Sequence, residues 1–113
     1  MKELNIRKDL NMNYQYFCVQ KNHWQCMCDL SNNDYDIHYF EAREIIDDDI
    51  ITYLRNCDMN PIHLLNFINS LKSSIQEEYD NFIKEYGVIS EYHQGCLDEI
   101  NLAIKIIKQD YTI

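Results

Sequence analysis

Metal-ligand and nucleophile chemistry crowds into the first third of the chain. His23-x2-Cys26-x-Cys28, with Cys18 before it and His38 after it, brings together thiols and imidazoles, the groups that hold zinc. The spacing argues against a site. On a strand, Cys26 and Cys28 share a face and His23 takes the other. The doubled Cys-x2-Cys or Cys-x2-His knuckle of structural zinc sites is missing. Cys18, Cys26 and Cys28 read instead as small apolar residues on the face that Trp24 occupies. His93-x2-Cys96 puts two ligand types on one helical face, with no second pair to complete a set. No metal and no cofactor is expected.

Enzyme chemistry finds no better footing. Five cysteines and four histidines offer many Cys–His combinations, and none lies in a nucleophile signature. There is no P-loop, no Gly-x-Gly-x-x-Gly and no His-Glu-x-x-His. Asp47-Asp48-Asp49 supplies adjacent carboxylates, but a sufficient role for them is the negative start of a helix. Tyr14, Tyr16, Phe17 and Trp24 on a sheet would suit base stacking, yet only Lys21 stands close enough to hold phosphate. The chain is expected to have no enzymatic activity and no direct nucleic-acid contact.

Charge is the more informative signal. The net charge is −9 in 113 residues. Residues 29–58 alone hold nine acids against Arg43 and Arg55. Such a balance disfavours nucleic acid and anionic membranes and favours a basic protein surface. The candidate partner-binding residues are Asp34, Tyr35, Asp36, Tyr39, Glu41, Glu44, Asp47, Asp48 and Asp49. Their carboxylates would match a basic target, and the tyrosines would anchor the contact. This describes a small acidic inhibitor that occludes a site on a basic partner, such as an immunity protein neutralising a toxin nuclease. A phage-encoded anti-defence inhibitor is physically the same device. A self-associating helical module, hence a homodimer, is the alternative of a different class. With no export leader, no apolar spanning stretch and an odd number of cysteines, the expected location is the cytoplasm.

The elements that position these residues fall into two halves. Asn60 caps a long helix with Pro61 at its first position. Leu64, Ile68, Leu71, Ile75, Tyr79, Phe82 and Tyr86 then recur at helical spacing, and Gly87 ends the helix. Ser90 opens a last helix, Glu91 to about Lys108, and the short connection makes a helical hairpin. Asp48–Asn56 reads as a short helix, broken by Asp58-Met59-Asn60. Upstream the period turns to two. Tyr14–Val19, His23–Leu30 and Tyr35–Phe40 alternate as strands, joined by polar turns at Gln20-Lys21-Asn22 and Ser31-Asn32-Asn33-Asp34. Residues 1–12 fit either a helix or a strand, and the exposure of Cys57 is open. The expected fold is α+β, one domain over 1–113. A three-stranded antiparallel meander (about 13–40) packs on the short helix and the helical hairpin.

Overall fold

The computed structural model describes residues 2–56 and 60–110, with side chains from 13 to 56 and from 60 to 109. Four helices account for nearly all of them: α1 (Lys2–Leu30), α2 (Asp34–Asn56), α3 (Pro61–Tyr86) and α4 (Glu91–Asp110). The fold is all-α, and no strand occurs among the described residues. The expected β-meander is therefore replaced by a helical hairpin, and Asp48–Asn56 is the second half of α2. Residues 2–12 belong to α1, whereas Cys57 and the break at 58–59 lie outside the described residues.

The second hairpin follows its end signals. The Asn60 side chain accepts from the backbone N–H of Ile62 at 2.9 Å and of His63 at 3.2 Å. Gly87 closes α3 at φ 69°, with its N–H donating to the Ile83 carbonyl at 2.7 Å. That left-handed conformation strains any residue with a Cβ. The Ser90 hydroxyl accepts from the backbone N–H of His93, and the Ser90 carbonyl accepts from Gln94.

The first hairpin has its own signal, in a place that alternation obscured. Asn33 accepts from the Asp36 N–H at 2.8 Å, and the Asp36 carboxylate accepts from the Asn33 amide at 2.9 Å. Asn33 is thus the N-cap of α2, its side chain held by the Asp36 carboxylate, so the polar turn starts a helix rather than joining two strands. On α1 the residues turned toward α2 include Asn13, Phe17, Trp24 and Cys28, at helical spacing. Cys26 and Leu30, which a strand would place beside Trp24, are exposed.

Packing order differs from chain order. α2 lies between α1 and α4, and α4 lies between α2 and α3, while the α2 and α3 backbones come close at few points. Contacts His38–Glu91, Ala42–Cys96 and Arg43–Glu99 advance together, so α2 and α4 run parallel. They approach closely because Ala42 meets Gly95. A Cβ on Gly95 would stand 2.4 Å from the Tyr39 carbonyl oxygen and 3.0 Å from the Ala42 Cβ. The core runs along this contact through Ile46, Ile50, Ile100, Ala103 and Ile107, and reaches Leu64 and Ile68 of α3 and Phe17 of α1. The result is a slab of 49 × 31 × 23 Å with a radius of gyration of 15.1 Å. A compact chain of this length would measure about 13 Å.

Candidate functional site

The acids of residues 34–49 all stand on α2, and the helix sorts them by angle. Asp34, Tyr35, Glu41 and Asp48 are exposed, while Asp36, Tyr39, Glu44 and Asp49 are half-buried. Asp47 is fully buried. The nine residues therefore do not form one surface. The Asp36 carboxylate accepts from the Asn33 side-chain amide in the cap of α2. Asp48 pairs with Lys21 of α1 at 2.7 Å. Burial pushes the Asp49 carboxyl up, and the Asp48 charge adds to it. What remains is a stripe of the exposed Asp34 and Glu41 with the half-buried Glu44, and Asp48 at its end. Its field is felt across the hairpin: burial raises the Cys28 thiol first, then Glu41, Glu44 and Asp29 raise it further. Asp47-Asp48-Asp49 lies in mid-helix, so the role foreseen for it as a helix start is overturned.

The inward residues build a polar core between α1, α2 and α4. Arg43 donates through Nε and Nη2 to one oxygen of Glu99, both at 2.8 Å, and through Nη1 to the Tyr39 hydroxyl at 2.8 Å. Tyr39 donates to Asp98, which also accepts from Gln94. The Arg43 guanidinium lies 4.3 Å from the centre of the Trp24 ring, and Trp24 stacks on Phe40. Glu99 is 1% exposed and Asp47 0%.

As a carboxylate, Asp47 has no donor for either oxygen. Desolvation pushes its pKa up first and the neighbouring Glu99 second, to about 10, with Arg43 pulling weakly the other way. Asp47 is thus a neutral acid at pH 7. Its proton turns it from a second acceptor into a donor toward Glu99, which relieves the repulsion between two buried carboxyl groups. Closed to solvent, the pair can hold helices in register but cannot meet a substrate.

No group of metal-ligating side chains converges among the described residues. Cys26, His23 and His38 are exposed, and Cys18 and Cys28 are half-buried on α1. Cys96 is buried with its thiol directed at the Ala42 carbonyl, and burial raises it to about 11. That thiol is poorly nucleophilic. No described helix is long and apolar enough to cross a membrane.

Two features escaped the sequence reading. One is a groove of about 490 Å³ between α2 and α3, where Tyr53 stacks on Phe67 beside Leu71, Thr52 and Asp49. The other is the apolar tip of the second hairpin, where Tyr86, Val88 and Ile89 are more than half exposed. Val88-Ile89 in a short loop was a visible signal for it, because an apolar pair outside any helix has no core to join.

No family model, curated protein or solved structure matches this chain. The α+β description is overturned by the four helices, and the labels immunity protein and toxin–antitoxin component find no relative to rest on.

Proposed function

We propose that the protein acts by binding, laying the outward stripe of α2 on a basic surface of a partner protein and covering it. The observation that carries this reading is the separation of the acids by the fold. Asp47, Asp36 and Asp48 have partners or burial of their own, yet Asp34, Glu41 and Glu44 have no ion-pair partner among the described residues. Tyr35, 57% exposed, sits at the same end of the helix as an aromatic anchor. An outward row of uncompensated carboxylates on a rigid helix steers a basic partner and fixes its register.

The test is capture of partners from the source cells at low and at high salt, with wild type and with the double variant Glu41→Lys/Glu44→Lys. A protein retained by the wild type at low salt, released at high salt and lost by the variant is the expected result. Retention of that protein by the variant, with the same salt dependence, would overturn the proposal.

A further inference from the structure

Half of the large apolar side chains that the described residues expose lie within ten positions of one another: Ile83, Tyr86, Val88, Ile89 and Tyr92. The α3–α4 turn gathers them at one end of the slab. Beside them the rings form a connected group centred on His93. Tyr79 stacks on it at 5.4 Å, Phe82 lies at 5.6 Å and Tyr92 at 5.5 Å, and Tyr86 lies 4.8 Å from Phe82. The Nδ1 of His93 is 2.7 Å from the Ser90 hydroxyl, which ties the ring to the helix cap. A shallow cavity of about 300 Å³ opens here, with Phe82, Tyr86 and His93 as its aromatic wall and Glu78, Glu85 and Asn81 as its rim.

We infer that this tip is a docking site for a protein segment that presents an apolar side chain next to a lysine or arginine. The apolar surface meets the first requirement, and the cavity meets the second. A cation between the faces of Phe82 and Tyr86 and the carboxylates of Glu78 and Glu85 gains both cation–π and charge attraction. The same acids decide against a second copy of this chain. Residues 78–91 carry Glu78, Asp80, Glu85 and Glu91 against Lys84, so two tips of a chain with net charge −9 would repel on approach. The contact of His38 with Glu91 at 3.5 Å places the tip beside the N-terminal end of α2. The inference rests on the reading that the protein binds proteins, but on different residues from the acidic stripe.

The experiment uses the full chain and a fluorescent amphipathic peptide of leucine and lysine, with its glutamate counterpart as control and phosphatidylcholine vesicles as a second probe. The lysine peptide is expected to bind and to shift the amide resonances of residues 79–93. Val88→Asp/Ile89→Asp, both exposed and outside the helices, should weaken it about tenfold or more with an unchanged melting temperature. Glu78→Gln/Glu85→Gln should weaken it while leaving the apolar surface in place. Equal binding of the glutamate peptide, indifference to both variants, binding of the vesicles in preference to the peptide, or a dimer abolished by Val88→Asp/Ile89→Asp would each overturn the assignment. Loss of lysine-peptide binding in Glu41→Lys/Glu44→Lys alone would uphold the α2 reading and sink this one.

Discussion

Asp47 shows how one residue can invert the meaning of a motif. In a run of three aspartates it looks like solvent-facing charge, but the helix turns it inward onto Glu99 and keeps it protonated. Its folded pKa stands far above the ordinary 3.8, so the folded chain keeps a proton that the unfolded chain releases. The stability contributed by this group is complete below about pH 4 and is lost as pH rises toward about 10. Urea titrations across that window should show stability falling with pH for the wild type, and a flatter profile for Asp47→Asn. Asparagine keeps the shape and still offers a donor to Glu99, so at pH 7 this variant should be as stable as the wild type or more so. Glu99→Gln should behave oppositely and lose about 3 kcal/mol, because it leaves the Arg43 guanidinium buried without its carboxylate. If the two variants lose equal stability, Asp47 is ionised.

At the scale of elements, α3 and α4 were legible and α1 and α2 were not. α3 packs chiefly against one neighbour, so its apolar residues form one stripe, and Asn60, Pro61 and Gly87 mark its ends. α2 is covered by α1 on one side and α4 on the other, so its apolar residues spread around the helix. Phe40 faces α1 while Ala42 faces α4, and a two-sided helix read in short windows resembles alternation. The buried stripe of α1 contains Asn13, which breaks the apolar pattern further. The acidic surface was foreseen only as a region, since the angle that sorts Glu41 from Asp47 depends on the helix. Gly95→Ala gains about 1 kcal/mol of helix propensity, but its Cβ collides with the backbone of α2. Overpacking costs about 1–3 kcal/mol, and a 2.4 Å approach to a backbone oxygen belongs at the upper end, so a net loss of up to about 2 kcal/mol is expected in thermal melting. Gly87→Ala meets no neighbouring atom, yet its left-handed φ of 69° should cost about 1 kcal/mol.

At the scale of the molecule, acidity and shape act together. Nine net negative charges on a thin slab repel one another, and mobile ions screen that repulsion. The melting temperature should therefore rise from low to moderate salt, and Glu41→Lys/Glu44→Lys should reduce the rise; scanning calorimetry in sodium chloride checks both. The packing order α1, α2, α4, α3 also has a consequence in time. α2 and α4 are each held between two neighbours, but α3 packs mainly on α4 and meets α2 chiefly through the Tyr53–Phe67 stack. Opening α3 breaks its interface with α4 and the Tyr53–Phe67 stack on α2, and leaves the α1–α2–α4 unit standing, so the molecule has a cheaper route to partial opening than to global unfolding. Amide hydrogens in the middle of α3 should exchange sooner than those of α2, even though both helices bury isoleucines to the same depth. The hairpin tip, carried by the end of that same helix, would then ride on the part of the protein that breathes first.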